Sequence, residues 1–278
     1  MADWNKIDDA GKVDDRRGAT MAFGGAGLVG AILVAVLSLA SGSKNIDLNQ
    51  ILDQVSSSGL TTQSAEKIDP NDTYANFASK VVGSNNKLWQ PVVDGAGDDF
   101  VEPQLVLFRK ATKSGCGVAS SDVGPHYCPV DNTIYLDETF FEELKTRFGA
   151  KGGDVAEAYV MAHEYGHHVQ NLLGISDKVE NESKASPGNA SKLSVSQELQ
   201  ADCFAGVWAK SVEKIGVIGP GEIDEAINAA EAVGDDRIQK SSGNGIHPET
   251  WTHGSASDRA LWFNAGYKSG SPKNCQTF

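Results

Sequence analysis

Basic residues are scarce in this chain of 278 residues, which has 24 lysines and arginines against 37 aspartates and glutamates and a formal net charge of -13. No stretch is rich enough in Lys and Arg to neutralise a phosphate backbone, so the sequence predicts no binding to nucleic acid. The sequence also lacks repeats and low-complexity segments of the kind that indicate an interaction scaffold. With 40% hydrophobic and 22% charged residues, one folded domain is the simpler interpretation.

Cysteine is rare as well, with four residues and no CxxC pair, which argues against a structural zinc site built from four cysteines. An even number of cysteines fits two disulfides if the domain is exported. Four cysteines allow three connectivities. We favour Cys116 with Cys128, which are close in sequence, and Cys203 with Cys275, which would tie the C-terminal tail to a central helix.

Charge is absent altogether from Gly18 to Ser43, and Met21 to Ala40 is a nearly continuous apolar run. Such a run is long enough to span a bilayer, so residues 18–43 are predicted to be a transmembrane anchor. A cleaved signal peptide is the rival interpretation, because Ser38-Leu39-Ala40 resembles a cleavage site, and a buried soluble helix is a further alternative. The long polar leader and the length of the apolar run favour an uncleaved anchor.

The flanking sequence completes this predicted topology. Arg16 and Arg17 directly precede the apolar run, and the positive-inside rule therefore places residues 1–17 in the cytoplasm and the main domain outside it. Residues 1–17 are polar, and no buried structure is expected there. Residues 44–70 are predicted to be a linker, and residues 71–278 the folded domain.

The chemistry is carried by an HExxH motif, His163-Glu164-Tyr165-Gly166-His167. Helical spacing of the apolar neighbours, an N-cap at Asp154 and a stop at Gly174 predict a helix. Residues four apart lie on one face of a helix, so His163 and His167 can bind the same metal ion, while Glu164 is placed to act as a general base on a metal-bound water. Zinc is the cofactor that this motif indicates.

A second helix is predicted to supply the third ligand. Ser194 to Gln197 offers a capping box, and the largely apolar run that follows contains Glu198 and Asp202, again four apart. Two histidines and Glu198 make the ligand set of a catalytic zinc, and Asp202 can accept the second N–H of a ligand imidazole. A solvated acidic face is the alternative, which the apolar neighbours disfavour. Half of a di-iron site also fits the motif, but the chain has no second Glu-x-x-His.

The order of these motifs resembles that of a known group of enzymes. HExxH followed by ExxxD is similar to the gluzincin metallopeptidases, and the chain more specifically resembles the bacterial neutral zinc metallopeptidase family from Asp14 near its start to its C-terminus. Four runs carry this resemblance: His163 to Gln170, Glu198 to Trp208, Gly124 to Pro129, and Thr252 to Gly254. The chain departs from the family pattern at Tyr165 and at Ser196-Gln197, neither of which is a proposed ligand.

The resemblance implies an α+β, zincin-like domain with two ligand-bearing helices and a small sheet, preceded here by one transmembrane helix. It suggests the predicted strand Asp131 to Asp137 as the one that pairs with an extended substrate, although a purely structural strand fits equally well. Between the two ligand helices, Ser176 to Lys192 is predicted to be an exposed loop. His253 precedes a last helix capped by Ser255, and either donates a hydrogen bond to the oxyanion of the reaction or caps its loop.

Together these features predict a membrane-anchored zinc metallopeptidase that hydrolyses peptide bonds in a peptide or protein substrate. Its catalytic residues would be Glu164 and His253, with zinc held by His163, His167 and Glu198. A non-peptidase zinc hydrolase and a membrane-tethered zinc-binding scaffold stay as alternatives. The three other histidines are predicted to be structural or surface residues: His126, His168 and His247.

Overall fold

The protein is described by a computed structural model that covers residues 1–8, 10–18, 73–219, 221–243 and 245–278. Within these ranges no helix combines the length and the apolar character needed to cross a bilayer. Apart from Gly18, the predicted anchor (18–43) lies outside the described residues, as does the predicted linker (44–70).

Eight α-helices and two small sheets make up the described fold, which agrees with the predicted mixture of helix and sheet. The helices are α1 (Thr73–Ala96), α2 (Phe140–Thr146), α3 (Asp154–Leu172), α4 (Ile175–Ala185), α5 (Ala190–Lys214), α6 (Ile223–Ala232), α7 (Asp235–Ser241) and α8 (Ala256–Ser269). The strands are β1 (Lys12–Asp15), β2 (Gln104–Leu107), β3 (Ala111–Ser114), β4 (Gly117–Ser120), β5 (His126–Cys128) and β6 (Thr133–Leu136).

The larger sheet has the strand order β1-β2-β6-β5, and β3 and β4 form a separate antiparallel pair. Strands β1, β2 and β6 run parallel, whereas β5 is antiparallel to β6 and lies at the edge. Leu105, Ile134 and Leu136 on the inner strands are fully buried. The sheet therefore packs as an inner layer against the helices, with the antiparallel strand β5 along one side.

The expectation that residues 1–17 have no buried structure is wrong. Strand β1 pairs with β2 in register, Val13 opposite Leu105, and Ile7 is only 3% exposed. Trp4 stacks on Trp208 with a centroid distance of 6.4 Å. Its indole nitrogen also donates a 2.9 Å hydrogen bond to Asp154, the first residue of α3. The polar composition of this segment concealed a few apolar side chains that insert into the helical core.

This packing bears on the predicted topology. Strands paired in one sheet lie on the same side of any membrane, because backbone hydrogen bonds between neighbouring strands join groups that are in contact. Residues 1–17 and the main domain thus belong to one folded unit, and the side of a membrane on which each lies stays a prediction. The attachment of residues 18–43 to a membrane stays a prediction.

Helix α3, which carries the HExxH motif, packs against α5, which carries Glu198 and Asp202. A Cβ atom at Gly166 of α3 would lie 3.0 Å from Cα of Ala201, so α3 and α5 approach closely at this glycine. The predicted loop between them is wrong: residues Ile175–Ala185 form α4, and α5 begins at Ala190, ahead of the predicted cap at Ser194. The predicted helix after Ser255 is present, with Ser255 accepting a hydrogen bond from the Asp258 amide.

Both disulfides have the connectivity that the sequence favoured. Cys116 is bonded to Cys128, which ends β5, and Cys203 of α5 is bonded to Cys275 near the C-terminus. The first disulfide fastens the edge strand to the β3–β4 pair. The second holds the last residues of the chain against the helix that carries Glu198.

Candidate metal centre

His163 and His167 face Glu198 across the contact between α3 and α5. Nε2 of His163 lies 3.1 Å from Oε2 of Glu198, and Nε2 of His167 lies 3.3 Å from Oε1 of the same carboxylate. One ligand atom from each residue lies within 4.8 Å of the others, so the three side chains can hold a metal ion. No other such group of histidine, cysteine or carboxylate side chains is found in the described part of the chain. Two imidazoles and one carboxylate are the donors that a catalytic zinc uses.

Each of the two histidines has an acceptor on its other nitrogen. Oδ1 of Asp202 lies 2.8 Å from Nδ1 of His163, and Oε1 of Gln170 lies 2.9 Å from Nδ1 of His167. These acceptors favour a proton on Nδ1 and leave the Nε2 lone pair of each imidazole for a metal. Gln170 also donates to the backbone oxygen of Gln197 at 2.7 Å, which ties α3 to the residue before Glu198.

Negative charge at this centre favours a cation. Burial disfavours a charged His163, but the Asp202 and Glu198 carboxylates outweigh burial and raise the pKa of His163 to about 10. Burial likewise opposes ionisation of Glu198, yet His167 and His163 hold the pKa of Glu198 well below its usual range. A site that stabilises a buried proton on imidazole in this way also stabilises a metal ion that replaces it.

Sequence reasoning missed Arg259 and Tyr159, which surround Asp202. Nε and Nη2 of Arg259 donate to the two oxygens of Asp202 at 2.8 and 3.0 Å, and the Tyr159 hydroxyl donates to Oδ1 at 2.5 Å. Burial opposes the charge on Asp202, but Arg259 and His163 prevail and lower the pKa of Asp202 to about 2. An arginine directly before the apolar run Ala260-Leu261-Trp262-Phe263 of α8 was the one available signal.

A cavity of about 870 Å³ opens onto the histidines and Glu198. Its walls come from the loop before β5, from α2 to α5, from α7 and from the start of α8. Glu164 lines this cavity, is 7% exposed, and has no hydrogen-bond or ion-pair partner among the described residues. Its carboxylate is thus available to a group that enters the cavity.

The edge of the sheet at this cavity is β5 and not the predicted strand. Residues Thr133–Leu136 form β6, which is paired on both sides by β2 and β5 and has no free edge. His126 and Tyr127 of β5 line the cavity. The Tyr127 hydroxyl lies 3.0 Å from Nδ1 of His168 and accepts a hydrogen bond from Asn171 at 3.1 Å. Strand β5 is therefore fastened to the helix that carries the metal ligands.

His253 lies on the cavity wall, with its side chain 49% exposed. Its Nδ1 is 3.4 Å from Oδ1 of Asp235, and its backbone amide donates to Oδ2 of the same carboxylate at 2.7 Å. Burial opposes the charge of Asp235, but these hydrogen bonds and that of Gly254 outweigh it, so the pKa of Asp235 is lowered. Asp235 thus orients the His253 loop towards the cavity.

His168 is fully buried next to the metal ligands, and its titration yields a test of the fold. Burial lowers the pKa of His168 to about 4, although its 2.7 Å bond to the Val101 carbonyl opposes this. A lowered pKa stabilises the fold above about pH 6.5, and this contribution is lost as the pH falls towards 4. Between pH 7 and pH 4.5, wild type is expected to lose about 2 kcal/mol more unfolding free energy than His168→Gln.

The measurement is urea unfolding at both pH values. A chelator is present, so that metal binding adds nothing to the unfolding free energy of either protein. His247→Gln is the matched control, because His247 is exposed, and it should lose as much stability as wild type. Equal acid sensitivity of wild type and His168→Gln would contradict the assignment.

Comparisons with known proteins agree with this geometry. Residues 2–278 match the family described as "Putative neutral zinc metallopeptidase". The chain is 39% identical to "Uncharacterized protein YpfJ" of Escherichia coli K12 over 284 aligned positions, which cover 99% of this chain and 98% of that protein.

Two mycobacterial relatives cover less of the chain. "Uncharacterized protein Mb2605" of Mycobacterium bovis and "Uncharacterized protein Rv2575" of Mycobacterium tuberculosis are each 46% identical over 212 positions, 72% of this chain and 70% of each relative. No solved structure matches the chain significantly.

Proposed function

The chain belongs to the neutral zinc metallopeptidase family, and on that premise we propose that it is a zinc-dependent peptidase that hydrolyses peptide bonds in a protein or peptide substrate. One observation carries the proposal: the fold brings Glu198 to His163 and His167 beside a cavity that Glu164 also lines, and Glu164 has no partner among the described residues. A metal held there by three protein ligands would keep a position for water.

Each residue of the site has a separate role in the proposed hydrolysis. Zinc bound by His163, His167 and Glu198 would supply an activated water and polarise the substrate carbonyl. Glu164 accepts the proton of the attacking water and later passes it to the leaving amine. Asp202 and Gln170 hold the two imidazoles in the tautomer that binds a metal.

His253 is proposed to stabilise the oxyanion. In this role both ring nitrogens carry a proton: Nδ1–H faces Asp235, and Nε2–H would donate to the carbonyl oxygen that gains negative charge during attack. Its exposure and its position on a loop allow His253 to approach a bound substrate.

The outer edge of β5, which no other strand of the described residues covers, is the proposed docking site for the substrate backbone. An extended peptide can add a strand to an exposed sheet edge through main-chain hydrogen bonds, which gives affinity with little dependence on sequence. The Cys116–Cys128 disulfide and the Tyr127 contacts support this edge in place before the substrate arrives.

A structural zinc in a tethered scaffold is less well supported. Such a site is closed by a fourth protein ligand, and among the described residues the group of His163, His167 and Glu198 has no fourth member. A non-peptidase zinc hydrolase shares the same centre, and the substrate assay below separates the two enzymes.

Membrane attachment is proposed from the apolar run 18–43 alone. Two disulfides favour a location of the domain outside the cytoplasm, where disulfides persist. Because β1 belongs to the same sheet, residues 1–17 would then lie outside the cytoplasm as well.

The test uses the full chain, because residues 1–17 are part of the fold. We expect one zinc per chain by elemental analysis and cleavage of a denatured, fluorescently labelled protein. Removal of zinc with a chelator should abolish cleavage, and addition of zinc should restore it. Undiminished cleavage by metal-free protein would contradict a zinc peptidase. Hydrolysis of small esters without any peptide cleavage would favour the non-peptidase alternative.

A further inference from the structure

Arg259 is a buried cation in the wall of the catalytic cavity, with 3% of its surface exposed. One edge of its guanidinium is fully used, because Nε and Nη2 both donate to Asp202. Nη2 also lies 3.3 Å from the Tyr159 hydroxyl. The Nε–Nη2 edge of the guanidinium therefore holds the Asp202 carboxylate in place.

The other edge has no such partner. Nη1 of Arg259 makes no hydrogen bond with any residue in the described part of the chain, although this nitrogen carries two N–H donors. Nη1 is not among the fully enclosed side-chain atoms that lack a partner in the described residues, so this nitrogen is reachable from the cavity that Arg259 lines. Two N–H donors next to the proposed zinc ligands are therefore available to an acceptor on a molecule that enters the cavity.

The position of Arg259 indicates which part of a substrate it meets. Nη2 lies 3.4 Å from Nδ1 and 3.5 Å from Nε2 of His163, so the guanidinium sits against the imidazole of a proposed zinc ligand. The guanidinium is rigid and planar, and Nη1 is therefore held next to the same centre. An acceptor at Nη1 would belong to the part of the substrate closest to the bond that is cleaved.

The local charge balance distinguishes a neutral acceptor from an anion. The positive charge of Arg259 is already matched by Asp202, whose two oxygens it contacts. Zinc with two positive charges would likewise be matched by Glu164 and Glu198. The buried centre thus has no surplus positive charge for a substrate carboxylate, which would cost desolvation without an unpaired counter-ion.

We propose that Arg259 binds the substrate directly, with Nη1 donating to a backbone carbonyl oxygen beside the scissile bond. Its opposite edge holds the Asp202–His163 pair in place at the same time. This inference rests on the proposed peptidase function. It adds a substrate-binding residue that lies on α8 and not on the two helices that carry the proposed zinc ligands.

The experiment compares zinc-loaded full-length wild type with Arg259→Lys, which retains a charge for Asp202 and removes the second donor edge. Each is assayed on one cleaved peptide in two forms, with a C-terminal amide and with a free carboxylate. We expect kcat/KM to fall about 10- to 100-fold, equally for both forms, since a hydrogen bond from a charged group is lost. Zinc affinity, from competition with a chelator, should fall by a smaller factor than kcat/KM, because Lys keeps a positive charge beside Asp202 and Asp202 still contacts His163.

Arg147→Lys is the matched control, because Arg147 lines the same cavity but is 71% exposed, and it should retain wild-type kinetics. Unchanged kcat/KM in Arg259→Lys would overturn the proposal. A loss confined to the free carboxylate would also overturn it, as would a fall in zinc affinity that accounts for the loss of activity.

A binding measurement separates this inference from the proposed function. The same amidated peptide, labelled for fluorescence anisotropy, is titrated with zinc-loaded Glu164→Gln and with Glu164→Gln/Arg259→Lys. We expect binding to the second protein to be about 10-fold weaker or more. If wild type cleaves no peptide but this difference is found, the peptidase proposal fails and the role of Arg259 stands. Equal binding by the two proteins would overturn the role of Arg259 whatever the activity of wild type.

Discussion

Glu164→Gln is expected to lower peptide hydrolysis by about 10³-fold or more while leaving zinc bound, because the amide cannot accept the proton of the attacking water. The change is nearly isosteric, and Glu164 has no hydrogen-bond partner among the described residues that the substitution would remove. Zinc stoichiometry by elemental analysis and kcat/KM on the same peptide give both halves of the result.

Glu180→Gln is the matched control for this prediction. Glu180 lines the same cavity, and its carboxylate is paired with exposed Lys184 outside the metal centre. The control should keep both zinc and activity. Full activity in Glu164→Gln would refute the assignment of Glu164 as general base, and loss of zinc in that variant would place Glu164 among the ligands.

Gly266→Ala is expected to destabilise the protein by about 3 kcal/mol or more, because the backbones of α5 and α8 touch at this position. A Cβ atom at Gly266 would lie 1.9 Å from the carbonyl oxygen of Cys203 and 3.0 Å from the amide nitrogen of Val207. Gly206 makes the reciprocal contact, with a Cβ position 2.0 Å from the Phe263 carbonyl oxygen. Backbone atoms cannot rotate away as a side chain can, so the helices themselves must separate.

The free energy of unfolding is measured in urea for Gly266→Ala and for Gly95→Ala. Gly95 lies in α1, where a Cβ atom would meet no described neighbour within 4 Å, and its replacement should be neutral or stabilising by up to about 1 kcal/mol. Since α5 carries Glu198 and α8 carries Arg259, Gly266→Ala should also weaken zinc binding. Equal stability of Gly266→Ala and wild type would show that the two helices tolerate separation.

Local patterns in the sequence were sufficient to predict that His163, His167 and Glu198 meet as a group able to hold a metal ion. The pairs His163–His167 and Glu198–Asp202 each lie four apart on a helix with an apolar face, and helical geometry alone then places each pair on one side. The two cysteine pairings could be chosen for a similar reason, since one pair is close in sequence and the other joins a tail to a buried helix. These features depend on contacts within one element or between two neighbours.

The features that sequence reasoning missed depend on how distant elements meet. Helix α4 was taken for a loop because it is mostly polar and buries only Val179 fully. Strand β5, not β6, is the edge because β6 pairs on both sides, and the order of strands in a sheet is not encoded in any single strand. Arg259 gave no periodic or spacing signal, since its partners Asp202 and Tyr159 lie on two other helices.

Strand β1 is synthesised well before its partner β2, which follows roughly 90 residues later. Until then β1 has no neighbour with which to form backbone hydrogen bonds. The stacking of Trp4 on Trp208 of α5 can form only later, when α5 has been synthesised. Contacts so distant in sequence form slowly, because a long loop has to be closed before they become favourable. Once β2 has been made, and until β1 pairs with it, β2 presents an unpaired edge that other chains can bind. Completion of the sheet by β1 is therefore expected to be a late step of folding, and the step at which the newly made protein is most exposed to aggregation.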